Sequence, residues 1–469
     1  MDRKVSLILP TLLLTAVISF AQTNDRVDHV NPFIGTDFFG HTFPGASLPY
    51  AMVHVSPDTG TEGWTHSAGY IWQANSIIGF SHTHWSGVGM VDGGDILLMP
   101  ITGNKLHVVP GTAEDPDTGY RSRFSHARES ASPGYYSVFL EDWNVEVELT
   151  TTPRVAFHRY TFPETNESKI ILDLGHQIGQ QKESDWSHLQ IVNDRCIEGE
   201  KTDGPGKVYF VAEFSKPFLY YGTFDSEYAT PESGAAVFAY KNAEQGKNIG
   251  AFVTYHTAEN EQVLVKVAIS HTGIEGARKN LDAELPHWDF DQVKAEARDV
   301  WERELSRVTI EGASESQKEI FYTALYRSLL AQYISQDVDG NYFGADGKIH
   351  NAKDYNYYGS FSCWDTYRTQ HPLLTLIAHE HVNDFIKSII EKTKQYGWLP
   401  GQHFQNVFGE GMVGDHLVPV VVDAYLKGFR DYDVEFIYNA MREKALEFPK
   451  PPTSIDAARS GLKYSNELG

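Results

Sequence analysis

The sequence predicts a multidomain protein in which an N-terminal antiparallel β-sandwich is followed by a helical linker and then by a ring of paired α-helices. The first observation is a period-two hydrophobic pattern, broken by frequent turn residues, from Val27 to about Thr272. The second is a change of that pattern near residue 288, after which apolar residues recur at helical spacing. The chain has 469 residues, of which 41% are hydrophobic, enough for roughly two to three folded domains.

The N-terminal half contains short alternating segments that are rich in β-branched and aromatic residues. Four of them carry the prediction: Tyr136–Leu140, Val145–Leu149, Val208–Ala212 and Val263–Ile269. Gly, Pro, Asn and Asp separate these segments, and this combination is typical of a β-sandwich. We therefore assign residues 22–280 to the sandwich domain.

The C-terminal half contains a charged linker helix and further segments with one apolar face. The linker helix is predicted at Phe290–Leu305, and the other helices at Ser316–Tyr333, His371–Tyr396, Asp415–Lys427 and Asp433–Leu446. Aromatic, Gly-rich connectors between such helices are typical of an α/α toroid, in which loops at one rim build a site. We assign residues 281–314 to the linker and 315–469 to the helical domain.

The first residues have the pattern of a secretory signal peptide. Arg3 and Lys4 form the positive region, Val5–Phe20 is apolar, and a small-x-small pattern ends at Ala21. We therefore predict that residues 1–21 are removed and that the protein is secreted or periplasmic. No later stretch is apolar and long enough to span a bilayer.

Charge and composition narrow the classes of partner. The chain has 39 Lys and Arg against 62 Asp and Glu, a formal charge of −23, which argues against nucleic acids and anionic membranes as partners. Aromatic residues make up 13% of the chain, and their faces stack on sugar rings as readily as they pack in cores. The only cysteines, Cys196 and Cys363, permit a disulfide outside the cytoplasm but leave their redox state open.

The densest cluster of chemistry-bearing residues lies at Gly79–Gly87 and just after it. If the chain is extended there, His82 and His84 share one face. With a carboxylate from Asp92 or Asp95, they would supply the ligand types of a zinc site. A zinc hydrolase using His82 and His84 is therefore one alternative for the function.

Two other interpretations of this cluster involve no metal. In one, the segment is a Gly-rich loop whose histidines hydrogen-bond to the backbone. In the other, which we prefer, the loop presents His84 and Trp85 to a ligand.

A second cluster combines Trp364, Asp365 and Arg368. Together they offer a stacking surface, a carboxylate that accepts hydrogen bonds from paired sugar hydroxyls, and a cation. The structural alternative is an interior aromatic beside an Asp–Arg pair at a helix start. The Gly-rich connector Glu410–His416 also groups titratable side chains, with helix capping by Asp415 as its structural alternative.

Other motifs are excluded or explained structurally. Asp337–Asn341 is superficially similar to a calcium loop, but it lacks the glycine and glutamate at the required positions, so a tight turn through Asp339 and Gly340 is predicted. The chain contains no nucleophile elbow, phosphate-binding loop, dinucleotide fingerprint or HExxH motif. This pattern favours carboxylate-based chemistry.

Taken together, the motifs resemble glycoside hydrolase family 92, the exo-acting, calcium-dependent α-mannosidases. The matching stretches run in family order along the chain: Val30–Thr36, Phe43–Ala46, Gly79–Gly89, Gly94–Ile96, Pro133–Tyr136, Phe321–Tyr326, Trp364–Arg368 and Met412–His416. The resemblance implies an N-terminal antiparallel β-sandwich, a helical linker and an (α/α)6 barrel, with the site between the two main domains.

The resemblance also implies an inverting mechanism. A Glu would act as general acid and an Asp as general base, with their carboxyl groups about 6.5–9.5 Å apart. A Ca²⁺ ion would bind the mannose hydroxyls. By similarity, Asp365 would bind hydroxyls of the terminal mannose and Trp364 would shape its pocket. Arg368 would complete this side, and His84 and Trp85 would reach across from the sandwich.

The family's acid, base and calcium ligands are expected beyond Gly469, so we assign no catalytic or metal-binding residue in this chain. The segment after Trp288 holds about half of the helices of an (α/α)6 barrel, which predicts only the first part of that barrel. The predicted function is an exported exo-α-mannosidase that acts on terminal α-mannosides of N-glycans or mannans. The alternatives are a non-catalytic mannose-binding or structural remnant, and the zinc hydrolase.

Overall fold

The fold is known from a computed structural model, which describes residues 25–89, 93–179, 185–203, 206–226, 236–359, 363–404, 407–409, 414–450 and 462–468. The predicted signal peptide, at residues 1–21, lies outside the described residues. Two antiparallel sheets form a sandwich in the N-terminal half, and helices follow it. The predicted fold class, a β-sandwich followed by a helical domain, is confirmed.

The strands of the described residues fall into two large sheets and three small pairs. Their bounds are β1 Ala46–Ser47, β2 His54–Asp58, β3 Ser76–Ile77, β4 Gly79–Ser81, β5 Leu97–Ile101, β6 Ser122–Arg123, β7 Glu129–Ser132, β8 Tyr135–Leu140, β9 Val145–Thr151, β10 Val155–Phe162, β11 Thr165–Asp173, β12 Trp186–Asn193, β13 Cys196–Asp203, β14 Gly206–Phe214, β15 Tyr220–Asp225, β16 Ala236–Ala239, β17 Ala243–Gly246, β18 Ile249–Thr257, β19 Glu261–Ser270, β20 Asn341–Phe343, β21 Ile349–Asn351, β22 Gln402–Phe404 and β23 Val407–Gly409. One large sheet has the order β1-β2-β4-β5-β11-β18-β15-β16, and the other has β17-β12-β13-β14-β19-β10-β9-β8-β7.

Alternation of apolar and polar residues builds the sandwich core. In β8 the buried side chains alternate with half-buried ones, so Tyr136, Val138 and Leu140 face inward. They pack in one cluster with residues of the opposite sheet such as Leu98 and Ile171. The four segments predicted from their period-two pattern all lie within strands: β8, β9, β14 and β19.

The helices of the described residues are α1 Ile274–Glu284, α2 Phe290–Leu305, α3 Glu315–Ser328, α4 Cys363–Thr366, α5 Gln370–Ile377, α6 His379–Tyr396, α7 Leu417–Leu426, α8 Val434–Leu446 and α9 Leu462–Leu468. The linker helix has the predicted bounds, and α8 begins one residue after Asp433, whose side chain accepts a hydrogen bond from Phe436 N. The turn through Asp339 and Gly340 connects to the hairpin β20–β21, with Gly340 at a φ of 84°.

Three details of the helical half differ from the prediction. The first helix, α1, begins at Ile274, well before the predicted change of pattern near residue 288. The helix predicted from His371 to Tyr396 is broken at Ala378, whose backbone has φ −131° and ψ 47°. The cap of α7 is His416, with no side-chain cap hydrogen bond, so capping by Asp415 is wrong; Asp415 lies 3.7 Å from Lys444 instead.

The linker helices α1 and α2 cover the outer face of the nine-stranded sheet. Leu281 and Phe290 pack with Phe157, Val211 and neighbouring strand residues in a separate apolar cluster. The C-terminal part of α2 continues into the apolar cluster of the helical half, in which Trp301 and Leu305 pack.

Backbone hydrogen bonds join the two halves directly. Tyr50 N donates to Leu329 O at 3.1 Å, and Ile334 N donates to Tyr50 O at 2.8 Å. The Trp301 indole nitrogen donates to Ser47 O at 2.8 Å. These contacts define the boundary at which the candidate site lies.

The structure also bears on the two cysteines and on membrane-spanning helices. Cys196 and Cys363 are both buried and free. Among the described residues, no helix combines the length and the apolar character that a membrane crossing requires.

Candidate functional site

A small cavity, the boundary pocket, lies where the sandwich meets the helical half. Its volume is about 20 Å³, which accommodates a water molecule but not a sugar ring. The lining residues are Met52, His54, Thr83, His84, Trp85, His271, Tyr333, Ile334, Ser335 and Gly359. His84 and Trp85, which we expect to contact a ligand, both line this pocket.

His84 is held by a buried carboxylate, Asp58, which belongs to none of the sequence motifs. Its Nε2 atom lies 2.8 Å from Asp58 Oδ1, and its Nδ1 atom lies 2.7 Å from the carbonyl oxygen of His54. Asp58 also accepts hydrogen bonds from His176 Nε2 at 2.8 Å and from Ser81 Oγ at 2.6 Å. Both ring nitrogens of His84 are therefore engaged within the protein.

The surroundings of Asp58 favour its charged form. Burial opposes ionisation, but His84 and His176 outweigh that effect and hold the pKa of Asp58 below its ordinary value. The backbone of Gly69, at a φ of 77°, approaches so closely that a Cβ atom there would lie 2.0 Å from Asp58 Oδ1. A side chain at this position would therefore displace Asp58, so only glycine fits.

Trp85 lies between the two halves of the molecule. Its side chain is buried and packs edge-on against Tyr333, with ring centroids 5.1 Å apart. The next residue of the loop, Ser86, donates its backbone N–H to the Tyr333 hydroxyl at 3.2 Å. Burial raises the pKa of Tyr333 to about 12, so its hydroxyl keeps its proton at neutral pH.

His54 brings a polar atom with no protein partner to the pocket. Its Nε2 atom is buried and, among the described residues, has no hydrogen-bond partner. Burial, with a smaller contribution from His84, lowers the pKa of His54 to about 3. A neutral imidazole nitrogen is thus available to a hydroxyl group or a water molecule in the boundary pocket.

His82 does not converge with His84. Its Nδ1 lies 2.5 Å from Ile96 O and its Nε2 lies 3.0 Å from His158 Nε2. Asp95 is engaged by Thr83 Oγ1 at 2.8 Å and by Lys201 at 3.2 Å, and Asp92 lies outside the described residues. In the part of the chain that the structure describes, no group of three or more His, Cys, Asp and Glu could hold a metal ion. The zinc hypothesis therefore has no support from the geometry.

Trp364, Asp365 and Arg368 lie together on α4 and the turn after it. All three are exposed, Trp364 by 40%. The Arg368 guanidinium lies 5.3 Å from the ring centroid of Tyr367, which stacks on His416. Residues 360–362, between this cluster and the boundary-pocket residue Gly359, lie outside the described residues, as does Glu410 of the predicted rim loop.

Three residues of the site have no sequence signal of their own. Asp58 lies in β2, where every side chain is buried, and His176 reaches it from 118 positions along the chain. Tyr333 follows α3 at the end of a predicted apolar stripe. Only the tertiary fold brings these residues to the His84–Trp85 loop.

Comparisons with known proteins identify the family. Residues 29–270 match the glycosyl hydrolase family 92 N-terminal domain, and residues 276–469 match the glycosyl hydrolase family 92 catalytic domain. A solved family GH92 α-mannosidase, BT3965 from Bacteroides thetaiotaomicron, in complex with mannoimidazole, is 36% identical and has a TM-score of 0.85 over 92% of this chain and 56% of its own. The family GH92 inverting mannosidase BT2199 from the same species is 27% identical, with a TM-score of 0.82 over 95% of this chain and 58% of its own.

A curated relative, described as an uncharacterized secreted glycosidase from Arthroderma benhamiae, is 26% identical over 97% of this chain and 56% of its own length. The chain therefore spans a little more than half the length of these relatives. Both family domains match in order, and together they account for nearly all of the described residues. The chain belongs to glycosyl hydrolase family 92.

Proposed function

We propose that this chain is the sandwich and the first part of the helical domain of an exported exo-α-mannosidase that removes terminal α-mannose from N-glycans or mannans. The observation that carries the proposal is the likeness to the α-mannosidase BT3965, solved with mannoimidazole, over 92% of this chain. The boundary pocket supports it, because buried polar and aromatic side chains from both halves meet there.

In this proposal the terminal mannose lies at the mouth of the boundary pocket. Asp365 accepts hydrogen bonds from paired hydroxyls, Trp364 and Trp85 provide apolar walls, and Arg368 donates to a hydroxyl or ring oxygen. His84 holds the loop, since its two ring nitrogens already bind Asp58 and the His54 carbonyl oxygen. In this proposal His84 therefore does not contact the mannose itself but positions Trp85, the next residue of the loop.

The proposed chemistry is hydrolysis with inversion, as described for the relative BT2199. Inversion requires an acid and a base whose carboxyl groups leave room for a water molecule, about 6.5–9.5 Å apart. We assign neither role to a residue of this chain. The signal-peptide pattern of residues 1–21 supports export, and one relative is described as secreted.

Calcium dependence rests on family membership alone. The described residues do not fit a metal site, because no group of three or more His, Cys, Asp and Glu is close enough to bind one. The proposed domain boundaries are those predicted from the sequence: 22–280 for the sandwich, 281–314 for the linker and 315–469 for the helical domain. Helix α1 begins at Ile274, within the first of these ranges.

The proposal is tested by mannose release from an α-linked mannobiose, followed by proton NMR so that the anomer first released is identified. Because no acid or base is assigned here, the assay uses both this chain and the product of any reading frame that continues past codon 469. Release of the inverted anomer is expected from the active product. Saturable mannoside binding with no release from either polypeptide would instead favour the non-catalytic mannose-binding remnant.

A matched pair of variants tests the role of Asp365. Asp365→Ala removes two hydrogen bonds to a charged group, at about 1.5–3 kcal/mol each, so mannoside affinity or turnover should fall at least about a hundredfold. Asp354→Ala, at an exposed acidic residue of the preceding segment, should leave both unchanged. Near-wild-type behaviour of Asp365→Ala would refute the proposed role.

A further inference from the structure

Helix α6 carries a row of three polar side chains into the interior of the helical half. Asp384, Ser388 and Lys392 follow one another at intervals of four residues, so they lie on one face of the helix, one turn apart. Ser388 and Lys392 are buried and Asp384 is half-buried. We call these three residues the α6 ladder. Their neighbours Phe385 and Ile389 belong to the apolar cluster, so polar groups at this depth require hydrogen-bond partners.

The partners of the α6 ladder are backbone groups of the connection between β21 and α4. Asp384 Oδ2 accepts a hydrogen bond from Asn356 N at 2.9 Å. The Ser388 hydroxyl accepts one from Tyr358 N at 3.0 Å, and the Lys392 side chain donates to Tyr358 O. Each member of the ladder thus fixes a backbone group of a segment that belongs to no helix and to none of the strands β1–β23.

The opposite side of the same connection is held by residues 333–336. Tyr357 O accepts a hydrogen bond from Ser335 N at 2.9 Å, and Gly359 N donates to Tyr333 O at 2.8 Å. A Cβ atom at Gly359 would lie 2.6 Å from the Cβ atom of Ser335, so the two segments are in close contact. Alternate residues of the connection therefore bind α6 and this segment, which fixes the backbone from both sides.

This connection lies between the two groups of residues that the proposed function assigns to the mannose. Tyr333, which accepts nothing from α6 but binds the connection directly, packs against Trp85 with ring centroids 5.1 Å apart. Beyond Gly359 the chain leads to α4, which carries Asp365. Because the connection contacts the first group and leads into the second, its position affects the placement of Asp365 relative to Trp85.

Lys392 also lies close to the far end of the connection. Burial raises the pKa of the Cys363 thiol to about 12, and Thr366 and Lys392 act against this effect. Cys363 is the first residue of α4, and its Sγ atom lies 3.7 Å from His371 Nε2 of α5. Lys392 is therefore near both ends of the stretch that leads into α4, at Tyr358 O and at the Cys363 thiol.

A buried lysine is an unfavourable way to satisfy a backbone carbonyl group. Removing an amine from water costs free energy, and burial lowers the pKa of Lys392 well below its ordinary value. An apolar side chain of similar volume would pack in the same cluster without this cost, and buried polar groups can be retained because they specify one arrangement. The position that the α6 ladder imposes on the connection therefore explains it better than stability does.

We propose that the α6 ladder positions Asp365 relative to Trp85 and thereby sets the affinity of the site for a mannoside. Its members are positioning residues, because they bind the backbone that leads to Asp365 and do not bind the sugar. The proposal rests on the proposed function for the identity of the ligand, whereas the anchoring of the connection can be measured without a ligand.

The first test is calorimetric titration of the full chain with mannoimidazole. Lys392→Met keeps the apolar stem and removes the donor, so the affinity should fall roughly tenfold, since hydrogen bonds from a displaced Asp365 weaken steeply with distance and angle. Ser388→Ala should cause a similar loss. Lys394→Met, at an exposed lysine of the same helix, should leave the affinity unchanged.

A matched pair at the third position tests the hydrogen bond itself. Asp384→Ala removes the acceptor for Asn356 N and should weaken mannoimidazole binding. Asp384→Asn keeps an acceptor oxygen at the same place and should restore the affinity of the wild type. Equal loss in both variants would assign the effect to the charge of Asp384 and would overturn its role as a positioning residue.

Two further measurements separate positioning from general destabilisation. Ile386→Val removes a buried methyl group from the same helix, so it should lower the unfolding temperature but leave the affinity unchanged. Iodoacetamide should label Cys363 faster in native Lys392→Met and Ser388→Ala than in the wild type. Cys196, which is buried in the sandwich, should stay protected in all of them. Because Lys392 acts to lower the pKa of Cys363, its loss alone would not speed the reaction, so faster labelling reports exposure of the thiol.

Failure of the ladder and failure of the proposed function give different results. Wild-type binding of mannoimidazole with unchanged affinity in Lys392→Met and Ser388→Ala, or with an equal loss in Ile386→Val, would overturn the ladder proposal alone. Labelling of Cys196 together with Cys363 would also overturn it, since the variants would then unfold as a whole. No binding by the wild type, with selective exposure of Cys363 in the ladder variants, would refute only the proposed function.

Discussion

Replacing Asp58 should destabilise the sandwich more than any other single carboxylate change that the structure suggests. Its side chain is completely buried and accepts hydrogen bonds from His84, His176 and Ser81. In Asp58→Ala two imidazoles lose their buried partner, and breaking a buried pair in this way costs about 3–5 kcal/mol. For a domain of about 250 residues, where 1 kcal/mol shifts the midpoint by about 2–4 °C, the unfolding temperature should fall by roughly 6–20 °C.

The assay is thermal unfolding followed by tryptophan fluorescence and by differential scanning calorimetry. Asp58→Asn keeps the shape and one acceptor oxygen, so its unfolding temperature should lie between those of the wild type and Asp58→Ala. Asp117→Ala removes an exposed carboxylate that pairs with Arg123 and should leave the midpoint unchanged. A shift in Asp58→Ala no larger than that of Asp117→Ala would refute the reasoning.

The lowered pKa of Asp58 also predicts how the stability of the folded protein depends on pH. Since its pKa in the folded protein is lowered, the folded state binds this proton less readily than the unfolded state, and the stabilisation by Asp58 is fully present above about pH 4. It is lost as the pH falls further toward the folded pKa. Stability should therefore decline more steeply in the wild type than in Asp58→Asn as the pH falls from about pH 4 to about pH 2, and the two should run in parallel above about pH 4.

Three further predictions concern the boundary, the thiols and the buried histidines. The Arg154 guanidinium donates to Glu284 and to Gln336 O, each at 2.6 Å. Arg154→Met should therefore lower the free energy of unfolding by about 3–5 kcal/mol and split the calorimetric transition into two. A single unshifted transition would show that Arg154 does not couple the two halves. Burial raises the pKa of Cys196 to about 11 and that of Cys363 to about 12. Iodoacetamide at pH 8 should therefore label neither thiol in the native protein and both after denaturation. Rapid labelling of the native protein would contradict the buried position of the thiols. Burial lowers the pKa of His82 to about 4, so between about pH 6.5 and pH 4 the unfolded state binds more protons than the folded state. As the pH falls through this range, the free energy of unfolding should decrease by up to about 1.4 kcal/mol per pH unit more in the wild type than in His82→Gln. Identical slopes in the two proteins would refute this prediction.

The parts of the fold that sequence predicts well are those with a strong local period. The strands around Tyr136, Val147 and Val265 alternate because one face of each packs in the sandwich core. The linker helix α2 carries its apolar stripe over sixteen residues with an Asp289 cap. In contrast, α1 has eleven residues, many of them charged, directly after a long strand, and its short buried face gives little periodic signal.

The candidate site can be predicted from the sequence only in part, because only some of its residues belong to a local pattern. The Gly-rich loop with His84 and Trp85 stood out because functional loops concentrate glycine and aromatic residues. Asp58 gave no signal, because a charged residue at the end of an otherwise buried strand has no local pattern. Its partner His176 lies 118 positions away, and such a contact follows from sheet order alone. The exposure of Phe39 and Trp64 also has no sequence signal, since exposure of a ring depends on the fold around it.

Under the proposed function, the terminal mannose binds where the two halves meet and is held by Asp365 and Trp85. The most direct measurement is calorimetric titration of the chain with mannoimidazole, the ligand described with the relative BT3965. We expect saturable binding of one molecule per chain in the wild type, and loss of that binding in Asp365→Ala at an unchanged unfolding temperature. Equal binding by both proteins, or no binding by the wild type, would contradict it.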